Sequence, residues 1–491
     1  MKYVPTIGLE IHVELKTQTK MFCDCKNDPD EKHPNLNVCP ICMAHPGTLP
    51  VINQKAVQKL IMVGQALNCE ITRETFFERK NYFYPDLPKG YQISQFQKPL
   101  CREGHLDIND KRIRIERIHL EEDTGRSQHS TGEGDETLLD FNRAGVPLME
   151  LVTHPDLKTA EDVRAFAQEL QLILRYLGAS DADMEKGQMR VEVNISVAKE
   201  GAKEYGTKVE VKNINSISAA ARAAGYEFTR QVEALEAGEK LVQETRGWDE
   251  NKGKTISQRI KEGSADYRYF PEPDLPPLHL SEELISEIKA KTPELPAQRR
   301  ERFAREYGSP ESDIAVFTIN KSLGDYFEHV VSELDSFDNL KHLQQPEAEH
   351  RAKVLKLASN YLITELARHA AEVGADPADT KISPERFADL IVRVFHKEIS
   401  SSAAQTVLAE MFATGATPEQ VIREKDLAQM SDEGALDSIV DEVISSNQQA
   451  VEDFKKGKEA PLKFLIGKVM AASKGKANPS IAEEILKRKL S

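Results

Sequence analysis

Hydrophobic and polar residues alternate in several short stretches within the first 293 residues of the chain. Alternation with a period of two is typical of strands that bury one face of a sheet. It is clearest in residues 7–15, returns in residues 191–197 and ends with Val209 and Val211. The pattern predicts strands whose opposite face carries polar side chains, because successive side chains point to opposite faces.

Helical spacing interrupts these strands twice. Apolar residues from Val163 to Leu177 recur at helical intervals, after a capping pattern formed by Thr159 and Asp162 and before Gly178. A second helix is expected to begin near Ser216. Both helices are therefore predicted to pack on the strands of the same domain.

The spacing becomes helical almost throughout the second part of the chain. The proline-rich residues 271–277 suit neither a central strand nor a helix interior, so they mark the edge of the first domain. We predict an α+β protein with three domains: a mixed α/β domain with an antiparallel-rich sheet (1–293), an all-α domain (294–415) and a small α-helical tail domain (416–491).

Composition narrows the class of protein. A chain of 491 residues is too long for one core, and its 30% of charged residues indicates a soluble protein. It contains no run of about 18 apolar residues, so no membrane-spanning helix is expected. The N-terminus lacks the apolar stretch and cleavage site of a signal peptide. We therefore expect a cytoplasmic protein with no membrane association.

Charge is distributed unevenly along the chain. A net charge of -15 argues against a protein that coats nucleic acid, although a local basic patch can still bind phosphate. From residue 454 onward, ten Lys and Arg residues stand against three Asp and Glu residues, a net charge of +7. Apolar residues between these lysines suit a helix packed on one side. A solvated lysine-rich tail is the alternative.

The polar faces of the predicted strands carry charged residues at their centres. Glu10, His12 and Glu14 share one face of the first strand. Later strands add Arg190, Glu192, Asn194 and Ser196; Lys208, Glu210 and Lys212; Glu150 and His154; and the three carboxylates within residues 119–125. Oxygen-rich clusters suit Mg²⁺, which keeps waters that bridge phosphates. Salt bridges on a hydrated sheet surface explain the pattern equally well.

Four cysteines form two close pairs. Cys23 and Cys25 are followed after a short loop by Cys39 and Cys42. Such paired spacing predicts a tetrahedral structural Zn²⁺. His33 or His45 could replace one ligand, and four unligated thiols in a surface loop are the alternative.

Common nucleotide-binding and nucleophile motifs are missing. Gly253-Lys254-Thr255 resembles the end of a phosphate-binding loop, but the spacing from Gly247 is wrong and no apolar strand precedes it. No serine or cysteine stands in a nucleophile context. An ammonia-releasing activity would therefore have to reside on another chain.

Longer ordered motifs cover the first 293 residues densely and return near the C-terminus. They are residues 8–15 (GLEIHVEL), 46–50 (PGTLP), 80–92 (KNYFYPDLPKGYQ), 119–125 (HLEEDTG), 140–150 (DFNRAGVPLME), 206–213 (GTKVEVKN), 266–274 (DYRYFPEPD), 467–470 (GKVM) and 474–479 (KGKANP). These motifs resemble a known family, the B-type (GatB) subunits of the tRNA-dependent amidotransferases.

The resemblance implies a cradle-shaped first domain in a heterotrimer with the amidase (A-type) subunit of the same enzyme and its small (C-type) subunit. It implies that Glu-tRNA(Gln), Asp-tRNA(Asn) or both are amidated after ATP converts the side-chain carboxylate to an acyl phosphate. It places the Mg²⁺ and ATP site on Glu10, His12, Glu121, Glu122, Glu150 and Glu210. Two positions depart from the family pattern: residues 43–45, and Glu192 where aspartate is expected.

The candidate residues then follow by role. The predicted catalytic residues are Glu10, His12, Glu122, Glu150 and Glu210, and the predicted phosphate or substrate contacts are Lys89, Lys208 and Lys212. The predicted tRNA contacts of the basic tail are Lys463, Lys468, Lys474 and Lys476. A non-catalytic tRNA-binding scaffold is the competing interpretation, although clustered carboxylates serve no purpose in binding RNA alone. A free-standing phosphotransferase would leave the basic tail unexplained.

Overall fold

The computed structural model describes residues 2–129, 136–260, 266–336, 347–428, 433–455, 460–473, 476–477 and 479–490. The chain divides into two compact units, Met1–Pro296 and Ala297–Ser491. Strands occur only in the first unit among the described residues, and the second is helical. This arrangement confirms the predicted α+β class.

The first unit alternates between strands and a few helices. In chain order its elements are β1 (Tyr3–Glu14), α1 (Gln54–Ala66), β2 (Glu70–Ile71), β3 (Glu74–Thr75), β4 (Glu78–Asn81), β5 (Tyr91–Ser94), β6 (Cys101–Ile108), β7 (Lys111–Glu122), β8 (Arg126–His129), β9 (Thr137–Asp140), β10 (Pro147–Thr153), α2 (Ala160–Tyr176), β11 (Met189–Lys199), β12 (Val209–Lys212), α3 (Ile217–Glu236), β13 (Glu244–Asp249), β14 (Lys254–Ile260), β15 (Phe270–Pro271), β16 (Leu278–His279) and α4 (Glu282–Ala290).

Nine strands form the main sheet of this unit, in the order β14-β13-β12-β11-β1-β10-β7-β6-β2. Neighbours are antiparallel except β12 and β13, which are parallel. A smaller sheet, β15-β4-β5, lies beside β7. Strands that are distant in the sequence thus become neighbours at the centre of the sheet, where β1 lies between β10 and β11.

One face of the main sheet is apolar and is covered by helices. Ile7, Leu9 and Ile11 of β1 are almost fully buried in the core shared with α1, α2 and α3. Helix α2 begins as predicted, with Thr159 and Asp162 forming a capping box. Burying these alternate residues fixes the register, because a slip by one residue would turn every side chain to the other face.

The second unit consists of helices. They are α5 (Pro296–Tyr307), α6 (Glu311–Ile319), α7 (Lys321–Ser336), α8 (Glu347–Asn360), a π-helical segment (Tyr361–Leu366), α9 (Ala367–Glu372), α10 (Pro384–Phe395), α11 (Ser401–Thr414), α12 (Pro418–Glu424), α13 (Glu433–Ser446), α14 (Gln448–Lys455), α15 (Ala460–Ala472) and α16 (Pro479–Leu490).

Two separate cores stabilise these helices. The larger is built around Phe317, Phe327 and Phe387, and the smaller around Leu436 and Leu465. The smaller core joins α13, α15 and α16, the segment that carries the basic residues. No described helix is long and apolar enough to cross a membrane.

Candidate functional site

The polar face of the main sheet gathers carboxylates and histidines from neighbouring strands. His12 on β1 lies directly opposite Glu150 on β10, and Glu150 lies opposite His119 on β7. On the other side of β1, Glu10 lies opposite Glu192 on β11. Side chains opposite each other in an antiparallel pair point to the same face, so all of these groups share one surface.

These side chains form three overlapping groups of potential metal ligands. In each group, one ligand atom per residue lies within 4.8 Å of the others. The groups are Glu10, His12 and Glu150; His119, Glu121 and Glu150; and Glu10, Glu192 and Glu210. Glu150 and Glu10 each belong to two groups, so the three groups are continuous with one another. The seven residues of these groups are called the acidic face below.

His12 lies at the centre of the acidic face. Its Nε2 is 3.4 Å from Glu150 Oε2 and 3.6 Å from Glu121 Oε1. Burial lowers the pKa of His12, but the hydrogen bond and the charge of Glu150, with the charge of Glu121, outweigh it and raise the pKa to about 9. The two carboxylates therefore favour the protonated form of His12, whose charge offsets part of theirs.

The carboxylates differ in how they are compensated. Burial, followed by the charges of Glu150 and Glu192, raises the pKa of Glu10. Burial opposes ionisation of Glu150 as well, yet the charge of His119 and the hydrogen bond from His12 hold its pKa well below the usual range. The two histidines therefore favour the ionised form of Glu150. Glu10 has less compensation, so a bound cation would lower its pKa and favour its ionised form.

Two lysines lie beside the acidic face. Lys212 Nζ is 2.8 Å from Glu192 Oε2 and 3.6 Å from Glu210 Oε1. Burial lowers the pKa of Lys212, but these two charges raise it to about 12. Lys80 on β4 approaches from the smaller sheet, where its ammonium lies over the ring of Tyr267. Burial works against the charge of Lys80, but the charges of Glu121 and Glu150 raise its pKa.

Several buried polar side-chain atoms at this surface have no hydrogen-bond partner among the described residues. They include Oδ1 of Asn194, which lies opposite Glu210, and Nδ1 of His119. Buried polar atoms are normally paired, so an unpaired carbonyl oxygen next to carboxylates indicates a missing partner. Carboxylate and carbonyl oxygens are the ligands that Mg²⁺ prefers, so the five carboxylates of the acidic face, with Asn194, could hold this ion.

Some predicted residues lie outside the acidic face. Glu122 follows Glu121 and points away from it; its Oε1 accepts a hydrogen bond of 3.0 Å from Ile93 N and an ion pair from Lys89. Glu122 and Lys89 therefore pair with each other and lie outside the three groups of potential metal ligands. Lys208 precedes β12 instead of belonging to it, contrary to the sequence expectation.

Several residues at this surface have no role that a sequence pattern indicates. Lys80 and His119 lie within motifs of the family resemblance, but their own roles do not follow from those motifs. The sequence predicts Asn194 and Glu192 on the polar face of one strand, and neither is among the predicted metal ligands. The alternation of β11 was the available signal for Asn194 and Glu192, whereas nothing local indicated that Lys80, on a separate short strand, approaches Glu121.

The four paired cysteines converge in the loop after β1. Their sulfur atoms all lie within 4.8 Å of one another, and Cys25 Sγ is 4.0 Å from Cys42 Sγ. Zn–S bonds of about 2.3 Å in a tetrahedron place sulfurs roughly 3.8 Å apart, so the four positions fit Zn²⁺. Hydrogen bonding from Cys23, together with the charge of Lys20, lowers the pKa of Cys42 to about 4.

Neither histidine of this loop joins the cysteine cluster, the name used below for the four sulfurs. His33 is exposed and pairs with Glu31, and His45 is also exposed. The group of potential ligands contains only the four cysteines. A metal held by four thiolates has no open position, so the cluster suits a structural role.

The basic tail presents part of its charge to solvent. Lys463 and Lys468 lie on the exposed side of α15, while Leu465 and Val469 of the same helix are buried. Lys476 forms an ion pair with Asp426. Lys474, the fourth predicted tRNA contact, lies outside the described residues.

Comparison with known proteins bears on both units. Residues 5–286 match a family model described as the GatB/GatE catalytic domain, and residues 347–490 match one described as the GatB domain. The fold and these matches define the class of protein: an amidotransferase subunit with an α/β domain that matches the catalytic-domain model and with a helical domain.

Relatives match over the whole chain. The B-type subunits of the aspartyl/glutamyl-tRNA(Asn/Gln) amidotransferases of Caldicellulosiruptor saccharolyticus and Caldanaerobacter subterraneus subsp. tengcongensis are each 46% identical, over 100% of this chain and 99% and 100% of their own lengths. That of Dehalococcoides mccartyi strain 195 is 45% identical over 100% of this chain and 99% of its own. The chain belongs to this family, the B-type subunits of the aspartyl/glutamyl-tRNA(Asn/Gln) amidotransferases, which confirms the resemblance in the sequence.

Proposed function

We propose that this subunit uses ATP to activate the side-chain carboxylate of Glu-tRNA(Gln), Asp-tRNA(Asn) or both, so that ammonia converts it to the amide. The acidic face carries this proposal, because three overlapping groups of metal ligands line one face of a sheet. A scaffold that only binds RNA gains nothing from clustered carboxylates, which repel phosphate.

The reaction needs activation because a carboxylate is a poor electrophile. A carboxylate oxygen of the aminoacyl group takes the γ-phosphoryl group, the bond to the ADP oxygen breaks, and an acyl phosphate forms. Ammonia then attacks the acyl carbon, the bond to the phosphate oxygen breaks, and the nitrogen loses its extra proton to water. Positioning and charge neutralisation supply most of the catalysis in phosphoryl transfer.

The acidic face would hold Mg²⁺ through Glu10, Glu150 and the carboxylates beside them. When bound, Mg²⁺ neutralises phosphate oxygens and orients the transferred group. Lys212 and Lys80 lie next to these carboxylates and would offset the negative charge of ATP and of the substrate carboxylate. Asn194 would contribute its unpaired carbonyl oxygen.

The subunit would act together with other subunits, a tRNA and a structural metal ion. No nucleophile motif for glutamine hydrolysis occurs in the sequence, so ammonia would come from the amidase subunit of the complex, and a small third subunit would complete a heterotrimer. The mischarged tRNA would bind partly through Lys463 and Lys468. Zn²⁺ would occupy the cysteine cluster. We assign the complex to the cytoplasm.

The test of the reaction is ADP release by the purified complex. Wild-type protein should release ADP when both Mg²⁺ and mischarged tRNA are present. Glu10→Gln and His12→Ala should lower this rate at least a hundredfold and leave glutamine hydrolysis by the partner unchanged, whereas the exposed Glu236→Gln should match wild type. Normal ADP release and amidation in both site variants would favour the scaffold interpretation.

The test of the basic tail is the salt dependence of tRNA binding. Deleting the tail would remove Leu465 and Val469 from a core, so charge substitutions are cleaner. Lys463→Glu with Lys468→Glu should weaken tRNA binding and reduce the slope of log affinity against log salt by about one per lost phosphate contact. The exposed Lys240→Glu serves as control. Unchanged affinity and slope in the double variant would show that these lysines do not contact tRNA.

A further inference from the structure

Lys20 is the largest polar side chain that the first unit buries completely. It precedes Cys23 by three residues, and none of its surface is exposed. Lysines are almost never fully buried unless the charge has a partner. The burial of Lys20 therefore indicates that its ammonium has a defined structural role.

The ammonium of Lys20 has three hydrogens and contacts three acceptors. Nζ lies 2.6 Å from Asn37 O, 3.3 Å from Phe141 O and 3.8 Å from Cys42 Sγ. Within the described parts of the chain, no carboxylate forms an ion pair with it. The only acceptor among the three that can carry a full negative charge is the Cys42 sulfur, as a thiolate.

The charge of the cysteine cluster explains why a lysine is useful there. Four thiolates around one Zn²⁺ leave two excess negative charges in a largely buried place. A fixed ammonium next to one sulfur removes half of this excess, and charge-assisted hydrogen bonds to metal-bound ligands strengthen metal binding.

Phe141, the second acceptor, belongs to a different segment, residues 139–146, which leads into β10. The cysteine loop holds this segment by several further hydrogen bonds. Asn35 Nδ2 donates to Leu139 O at 3.0 Å, Phe141 N donates to Asn35 Oδ1 at 2.8 Å, and Asn37 N donates to Asn142 Oδ1 at 2.8 Å. The segment is therefore attached to the cysteine loop at several points along its length.

The same segment also contacts Asp123, two residues after Glu121 of the acidic face. Gly145 N donates to Asp123 O at 2.9 Å, and Arg143 Nε lies 3.4 Å from Asp123 Oδ2. Gly145 has a φ of +86°, which glycine adopts without strain, and a β-carbon at this position would lie 3.5 Å from side-chain carbons of both Cys42 and Lys20. Strand β10 begins two residues later and carries Glu150.

We infer that Lys20 is a positioning residue that neutralises the cysteine cluster and fixes residues 139–146 to it, so that metal binding in the cluster sets the position of the strand that carries Glu150. This inference rests on the proposed zinc site and not on the proposed reaction. The cysteine cluster and the acidic face are thereby coupled parts of one structure.

The first test compares Lys20→Met with Lys26→Met in the full chain. Both remove a lysine charge from the same loop, but Lys26 is exposed and pairs with Asp28. The measurement is the transfer of zinc to a chromophoric chelator at equilibrium. Lys20→Met should bind zinc ten- to a hundredfold more weakly than wild type, as is typical for loss of a group that supports metal ligands, and Lys26→Met should match wild type.

Equal zinc affinity in Lys20→Met and wild type would overturn the inference. Wild-type protein that holds no zinc would instead overturn the zinc site itself, and the inference with it. These two failures are distinguishable because only the second concerns the unmodified chain.

The second test needs no variant and covers the case in which Lys20→Met does not fold. Hydrogen exchange of the wild-type chain is measured with zinc bound and after zinc is removed. The amides of Phe141 and Gly145 should exchange at least tenfold faster without zinc, whereas amides of β13, remote in the sheet order, should not change. Unchanged exchange of both amides would contradict the coupling.

Discussion

The cysteine cluster and the acidic face are both candidate metal centres, but they are assembled in different ways. All four cysteines lie within one loop of the sequence, and the cluster has four ligands for a metal that takes four. The residues of the acidic face lie on five strands that are neighbours in the sheet, in the order β12-β11-β1-β10-β7. They offer more oxygens than one ion needs. The first arrangement suits a closed structural site, and the second suits a site that also receives phosphate and substrate.

The largest expected effect comes from Glu150, which two ligand groups of the acidic face share. Glu150→Gln keeps the size of the side chain and removes its charge. We expect it to lower ATP-dependent amidation by about two to three orders of magnitude, since charge stabilisation of this kind is typically worth a hundred- to a thousandfold per group. Amidation of mischarged tRNA by the reconstituted complex measures this, with partner glutaminase activity as the control.

Removing the cysteine cluster should affect stability most. The double variant Cys39→Ser, Cys42→Ser should contain almost no zinc, while Cys69→Ser, outside the cluster, should keep one zinc per chain. A metal present at a thousand times its dissociation constant stabilises the folded state by about 4 kcal/mol, so the variant should unfold at a lower temperature. Elemental analysis and thermal unfolding check this, and a fully stable, active variant would show that the cluster is not needed.

The neighbours Glu121 and Glu122 test the geometry of the acidic face more finely. They differ only in the face of β7 on which their side chains lie. Glu121→Gln should raise the Mg²⁺ concentration for half-maximal ADP release at least tenfold, whereas Glu122→Gln, which loosens Ile93 and Lys89 instead, should change it less than threefold. A larger effect from Glu122 would mean that the register does not decide which carboxylate binds the ion.

Asp162 in the capping box of α2 provides the smallest expected effect. Burial raises its pKa, but hydrogen bonds from Lys111 and from the backbone of Lys158, with the charge of Lys111, outweigh this and lower it. A lowered pKa in the folded state means that Asp162 stabilises the protein above the unfolded-state value near 4 and that this stabilisation is lost as the pH falls.

The substitution Asp162→Asn should therefore destabilise the protein by about 1 kcal/mol at neutral pH. The difference from wild type should shrink in acid, below the lowered pKa. Denaturant unfolding at several pH values measures it. A difference that is independent of pH would show that the carboxylate charge contributes nothing to the cap.

The same contrast explains what could be predicted from sequence. The cysteine cluster and the cap at Thr159 each lie within one short stretch of the chain, so the spacing of the residues is enough to predict them. The polar faces of β1 and β11 also followed from alternation. The order of strands did not, because the contact between His12 and Glu150 joins positions far apart in the chain. Glu121 and Glu122 are adjacent in the sequence, and only the register of β7 separates them onto opposite faces.

Long-range packing also decided the roles of the lysines. Lys89 was predicted to contact phosphate, but it forms an ion pair with Glu122. Lys80 reaches the acidic face only because the small sheet lies beside β7. Lys20 looked unremarkable in sequence, since its burial depends on a segment more than a hundred residues away. Such contacts have no local pattern.

The central claim is that the tRNA-bound carboxylate is activated as an acyl phosphate at the acidic face. The most direct measurement uses mischarged tRNA with ¹⁸O in both side-chain carboxylate oxygens, amidated by the complex with ATP. The account predicts that one ¹⁸O appears in the released inorganic phosphate for each amide formed, and that Glu150→Gln forms no labelled phosphate. Label found in AMP, or amide formed without labelled phosphate, would contradict it.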